Sequence, residues 1–238
     1  MKIPTPDMAS DMLLGLGRSH VAALGCREET KLLASAFQPK HDALEAAAAT
    51  RLQAEKDLTS PRVLLRFAEK SIELAIRQVA LLAHATDGNS TSGPAFKALF
   101  PNGLNAELNP MAAGQATTAA ALRERLNTHP DAVAIKGQIL PALEKEMAAF
   151  NAALASRDAA EAKLNQARIA EKSARAAFVA AYDSNAGAIR QMFPRSREQQ
   201  DLFFDEFRSG SRSGGGHDAV TPAPVVASAT DKATASSP

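Results

Sequence analysis

Apolar residues in this chain recur every three or four positions over long stretches and almost nowhere alternate. That is the period of a helix packed along one face, not of a half-buried strand. The clearest row is Leu65, Ala68, Ile72, Ala75, Val79 and Leu82. It predicts a helix over 61–85 with a single apolar stripe. A second row passes through Leu143, Met147, Phe150 and Leu154, then Ala160, Leu164, Ala167, Glu171, Ala174, Phe178 and Ala181. It belongs to a pattern running from 131 to about 183, with a kink or restart expected at Pro141. Glu171 is the anomaly in that row. It marks either the edge of an interface or a slip of register. From Pro141 to Asp183 an unbroken helix would reach about 65 Å.

Two further helices precede these. Residues 7–37 carry a heptad-spaced row of Met12, Leu16, Ser19, Ala23, Cys26, Thr30, Leu33 and Phe37, with Asp7 as a cap. Gly15, Gly17 and Gly25 each weaken that helix by about 1 kcal/mol against Ala. Residues 39–58 follow, with Pro39 in the first turn. At "TSPRVLLRF" Ser60 is a candidate N-cap and Pro61 a first helical residue, so a kink or fresh start is expected. "DGNSTSGPA" at 87–95 reads as a loop, 102–115 as a series of turns, and 116–127 as a short helix. Two long elements of matched length suit an antiparallel hairpin.

One phrase is written twice. "AFKALFPNG" at 95–103 and "AIRQMFPRS" at 188–196 share an Ala, a large apolar residue, and a Leu or Met before Phe-Pro. "AEKS" precedes each, at 68–71 and 170–173. The residue before proline is pushed out of the helical region, so each segment stops at its Phe. Phe96, Leu99, Phe100 and Pro101 in one phrase, and Ile189, Met192, Phe193 and Pro194 in the other, read as structural latches folded over the bundle ends. Residues 39–103 and 131–207 then read as two degenerate copies of one unit, with coincidence as the competing account. Beyond the second phrase, Leu202, Phe203, Phe204 and Phe207 concentrate aromatic weight. They either cap the bundle or offer a docking patch to a partner.

Composition agrees with helices. Ala is abundant, aromatic residues make up 5% and Trp is absent. Val, Ile and Tyr are too sparse for a sheet protein. The net charge is +1, and the segments 38–90 and 131–185 each hold seven positive and seven negative side chains. No basic stripe suited to a phosphate backbone results, so nucleic acid is not an expected partner. No apolar run approaches the ~20 residues of a membrane span. The opening "MKIPTPDMASDMLLGLG" is a poor signal peptide, and the single cysteine fits a reducing compartment, so a soluble cytoplasmic protein is expected. Residues 208–238, rich in Gly, Ser, Thr, Ala and Pro, read as a disordered tail.

The search for chemistry yields little. The histidines, His20, His41, His84, His129 and His217, fall in no Glu-x-x-His, His-Glu-x-x-His or Cys-x-x-Cys context. His84 and His129 suit the last turns of their helices. Cys26 and His20 lie about 120° apart on one helix, so core packing is expected for the cysteine. "GLGRSH" at 15–20 lacks the third glycine and the preceding strand of a dinucleotide loop.

The expected object is therefore all-α: an elongated antiparallel helical bundle with long kinked helices over residues 1–207, followed by the tail. No catalytic, cofactor-binding or metal-ligating residue is nominated. The function expected is a non-enzymatic structural or protein-interaction bundle, associating through helices with itself or with a protein partner. The alternative is a helical binder of a small apolar ligand or peptide.

Overall fold

The computed structural model describes residues 3–110 and 113–205. Among these residues every regular element is helical. The helices are α1 (Ser10–Gly25), α2 (Lys31–Asp57), α3 (Thr59–Thr86), α4 (Pro94–Leu99), α5 (Leu104–Leu108), α6 (Ala113–Thr128), α7 (Val133–Met192) and α8 (Arg197–Asp201). Short 3₁₀ turns at Glu28–Thr30 and Pro130–Ala132 lead into α2 and α7.

α7 is the spine. Its 60 residues correspond to about 90 Å of helix. α2 and α3, separated by Leu58 alone, run back along it. Cross-helix ion pairs give the register. Arg51 meets Glu171, Glu55 meets Arg168, and Arg62 meets Glu161, at 2.8, 3.7 and 3.4 Å. As the position on α2–α3 advances, the position on α7 recedes by nearly the same amount, so the pairing is antiparallel.

The seam holds two apolar clusters. One lies between α3, α6 and the first half of α7, built on Ile72, Ile76, Val79, Leu122, Leu126, Leu143 and Phe150. The other lies between α1, α2 and the last third of α7, built on Leu13, Leu24, Phe37, Leu44, Phe178 and Tyr182. Each fully buried large side chain contributes roughly 1.5–3 kcal/mol relative to exposure. Between the clusters, residues 151–163 of α7 bury no side chain. That waist is polar: Arg62, Glu161 and Arg168 surround the buried Leu58.

Boundaries differ from expectation in instructive ways. The first predicted helix, 7–37, is broken at residues 26–30, and α2 begins at Lys31 rather than at residue 39. Pro39 therefore lies inside α2. It is exposed, as is Ser35, so the carbonyl that loses its partner faces water. The break near Ser60-Pro61 occurs at Leu58, which accounts for the fresh start, but Ser60 makes no cap. α7 passes through Pro141 and runs on to Met192, beyond the expected end at 183.

Both Phe-Pro phrases end a helix in the same way. Phe100 closes α4 at φ −125°, ψ 63°, and Phe193 closes α7 at φ −123°, ψ 58°. Each backbone N–H still donates to the carbonyl four residues back, Phe96 and Ile189 respectively. Leu99 and Phe100 are buried in the first cluster, with Phe96 packed beside them. Ile189 is buried in the second, with Phe193 beside it, while Met192 is 44% exposed. Pro101 and Pro194 are both exposed. The likeness stays local. The first phrase occupies a separate helix after a loop, whereas the second is the last turn of α7. The architecture does not establish a duplication of 39–103 in 131–207, and residues 206–238, with the predicted tail, lie outside the described residues.

Polar contacts fix the remaining pieces. The Asp87 carboxylate accepts from the backbone N–H groups of Ala95 (3.2 Å) and Phe96 (2.7 Å), which caps α4. Gly93 is required there, because a Cβ would collide with the Asp87 side chain. Arg125 on α6 holds the buried Glu107 of α5 at 2.7 Å. Glu171, the carboxylate in the apolar row, is buried and satisfied: Ser10 Oγ donates to it at 2.5 Å and Arg51 Nε at 2.8 Å. Neither a slipped register nor a simple edge position is needed. Glu171 ties the start of α1 and the C-terminal part of α2 to α7.

Removing Glu171 leaves Arg51 and Ser10 without their acceptor. Arg51 keeps Glu55 and is 30% exposed, which lowers the cost below that of a fully buried pair. Glu171→Ala is expected to destabilise the chain by about 1–3 kcal/mol in urea unfolding. Arg62→Ala, which breaks an exposed pair, is expected to cost less than about 1 kcal/mol.

Candidate functional site

Beyond Met192 the chain turns at Phe193-Pro194, forms α8, and re-enters the second cluster. Ser196 Oγ accepts from the Gln199 N–H, and Gln200 Nε2 donates to the Phe193 carbonyl at 2.7 Å. This turn delivers Phe203 and Phe204, only 3% and 6% exposed, into the chain's own interior. Leu202 is 69% exposed, and Phe207 lies outside the described residues. The predicted patch of Leu202, Phe203, Phe204 and Phe207 is thus divided. Its two described phenylalanines cap the bundle. Intramolecular apolar surface was the nearest available, and burial there needs no partner.

His20 organises that cap. Its ring is 1% exposed, with Tyr182 at 4.5 Å, Phe204 at 5.0 Å and Phe37 at 5.1 Å between centroids. Nδ1 donates to the Phe203 carbonyl at 2.8 Å, and Nε2 accepts from Asn185 Nδ2 at 3.1 Å. Both ring nitrogens are satisfied in the neutral form. Burial pushes the His20 pKa below its ordinary value, and the bond to the Phe203 carbonyl only partly opposes this. Burial also pushes the Tyr182 hydroxyl up to about 12. Arg27 covers the Phe193 and Phe203 rings from outside, at 5.3 and 5.8 Å.

Among the described residues, several exposed apolar side chains share the outer side of α3. Val63, Phe67, Leu74 and Leu81 are 42, 70, 50 and 68% exposed, and Leu64 beside them is 56% exposed. Phe67, Leu74 and Leu81 are seven residues apart, so they share one face with a drift of only ~20° per step. Val63 extends the row to about 27 Å. This face is opposite the one that buries Ile72, Ala75 and Val79. Sequence reading recovered the inner stripe and passed over the outer one, although the seven-residue spacing was legible.

Charge along the outer row is one-sided. Arg66, Lys70 and Arg77 flank it, with Glu73 between them paired to both Lys70 and Arg77, and Glu69 further round at the groove. Lys70, then Arg77, hold the Glu73 carboxyl below the usual carboxylate range. On the other flank stand Ser60, Ser71 and Gln78, which are uncharged. Next to Phe67 a groove of about 550 Å³ opens between α3 and the α5–α6 corner, lined by Arg66, Phe67, Leu108, Pro110 and Gln115 among others. Gln115 is 5% exposed and its Nε2 has no hydrogen-bond partner.

The remaining ionisable side chains are mostly dispersed. Cys26, expected in the core, is exposed, with Sγ near the Ala22 carbonyl at 3.3 Å. His84 does lie in the last turn of α3, whereas His129 lies past the end of α6 and accepts from the Asp131 N–H. His41, Asp42 and Glu45 on α2 bring one potential ligand atom each within 4.8 Å of one another. Comparison with family models, curated proteins and solved structures finds no match for this chain.

The His20 geometry sets a pH dependence. Above about pH 6.5 the imidazole is neutral in both folded and unfolded chains and contributes no slope. Below it the unfolded chain takes up a proton that the folded site resists. Stability is therefore expected to fall with decreasing pH, by up to about 1.4 kcal/mol per unit from this group. Urea unfolding at pH 7.5 and 5.5 checks it: His20→Gln is expected to be less stable than the parent at pH 7.5, with a smaller loss on acidification.

Proposed function

We propose that the chain is a non-enzymatic interaction bundle whose docking surface is the outer face of α3. The observation that carries this reading is the exposed row of Val63, Phe67, Leu74 and Leu81. A row with one large apolar side chain every two turns, separated by Lys70–Ser71 and Arg77–Gln78, offers a partner helix spaced apolar contacts between polar ones.

Charge selects the occupant. Two copies of α3 packed antiparallel would bring the flank of Arg66, Lys70 and Arg77 against its own equivalent, and packed parallel would set it against the uncharged flank of Ser60, Ser71 and Gln78. An amphipathic partner helix with acidic residues beside its apolar row meets those cations with the opposite sign. The occupant is therefore a protein partner with an acidic-flanked helix, rather than a second copy of this chain.

A second reading rests on the groove at Phe67. Its unpartnered Gln115 amide and apolar walls suit one large side chain of the docked helix, or a small apolar molecule carrying an acceptor oxygen. Under this reading Phe67 belongs to both surfaces.

Two synthetic helical peptides test the proposal, identical in their heptad leucines and flanked by Glu in one and by Lys in the other. Fluorescence anisotropy is expected to show binding of the Glu-flanked peptide, with the Lys-flanked one weaker by about tenfold or more, a difference of ~1.4 kcal/mol. Leu74→Glu and Leu81→Glu, both at exposed positions, are expected to remove binding while leaving the unfolding free energy within about 0.5 kcal/mol of the parent. Absence of binding by either peptide would overturn the proposal. A dimer seen by light scattering and dispersed by Leu74→Glu would instead assign the face to a second copy.

A further inference from the structure

On the opposite arm of the seam, one turn of α2 carries a cluster that the interaction surface does not use. We propose that His41 Nδ1 and the carboxylates of Asp42 and Glu45 form a binding site for one divalent first-row cation, of which Zn²⁺ is the representative.

The argument starts from the imidazole. His41 is 5% exposed, and its Nε2 faces the Leu14 carbonyl of α1 at 3.3 Å. A carbonyl oxygen can only accept, so Nε2 carries the proton. The ring is also fixed in place. It packs against Gly17 of α1, where a Cβ would collide with both the His41 and Phe178 rings. In the neutral ring Nδ1 is then a lone pair, and it faces Asp42 Oδ1 at 3.5 Å. Asp42 is itself held, since Gln38 Nε2 donates to the same oxygen at 2.6 Å. In that tautomer two acceptors face each other at 3.5 Å, and either a second ring proton or a metal cation between them relieves the repulsion.

Glu45 lies one turn further along the same helix and supplies the third ligand atom, all three within 4.8 Å of one another. A tetrahedral site with bonds of about 2.1 Å has ligand–ligand edges of roughly 3.4 Å; the His41–Asp42 separation of 3.5 Å is close to that edge, and the exposed Glu45 side chain, within 4.8 Å, has to rotate inward to complete the site. A backbone carbonyl on the far nitrogen is also the usual means of orienting a metal-binding histidine. One imidazole with two carboxylates suits Zn²⁺ and its neighbours better than Mg²⁺, which takes oxygen ligands alone. Asp42 and Glu45 are exposed, so a cation can enter and a water can complete its coordination. The sequence signal is His-Asp-x-x-Glu. It is none of the spacings usually searched, because its first two ligands are adjacent and only their rotamers and the ring's burial bring them together.

Zinc chloride titrated into the full chain tests the site, followed by calorimetry and by the ¹⁵N signals of the histidine rings. One equivalent is expected to bind, to shift the Nδ1 resonance of His41 and to raise the unfolding temperature. Magnesium chloride is expected to do none of these. The Asp42→Asn, Glu45→Gln double variant changes only exposed side chains. It is expected to fold normally and to weaken zinc binding by roughly tenfold or more. Zinc bound equally well by the double variant would overturn the proposal. So would a His41 ring protonated on both nitrogens and unmoved by zinc, because a proton would then fill the gap.

Discussion

The antiparallel seam between α7 and the α2–α3 arm is the constraint on which the rest depends. Most of the stability of a helix in a folded chain comes from packing its apolar face, so the 60-residue α7 depends on a partner that covers that face. α2 and α3 provide that cover in two segments. The Leu58 break lets the two segments follow the spine while keeping Leu58 itself buried. Everything else in the fold is attached to one end of this seam or the other. α1 and α8 serve the end that holds Phe178 and Tyr182, and α4, α5 and α6 serve the end that holds Leu143 and Phe150.

Polar side chains do the aligning that small apolar ones cannot. Alanine-rich faces pack closely but are nearly alike at successive turns, so a shift by one turn would lose little burial. The Glu171 contacts with Arg51 and Ser10 are specific to one register. His20 plays the same part at the end of the bundle. It joins α1 to Asn185 of α7 and to the Phe203 carbonyl of the returning chain. A fully satisfied buried polar group favours one arrangement because any other would leave it unpaired. Among the described residues, the outer row on α3 stays exposed while both ends are closed.

Much of the fold was legible in the residues. The stripe from Leu65 to Leu82 names the buried face of α3, and the row from Leu143 to Ala181 names that of α7. The Phe-Pro phrases mark helix ends because proline forbids a helical residue before it, and both do end helices with the same backbone angles. The boundaries of the first two helices were not legible. A proline at residue 39 ordinarily signals a helix start, but a solvent-facing proline can be carried inside a helix whose other side is packed. The duplication suggested by the paired phrases is not established, because a short phrase specifies a local stop and not the element that precedes it.

The candidate surfaces divide along the same line. Phe203 and Phe204 were visible as aromatic weight, but whether such residues seek a partner or their own chain depends on where the preceding turn points them. The outer α3 row could be read from spacing alone, yet its exposure depends on which of two apolar faces α7 covers. By itself, then, the sequence determined the helical class, the inner stripes and the stops, since these follow from periodicity and from local backbone sterics. Tertiary structure alone decided which apolar faces remain open, how Glu171 is satisfied, and that His41 meets two carboxylates beneath Leu14. Each of those depends on side chains approaching from other helices or on the rotamers that packing imposes, and neither is written in the spacing of one segment.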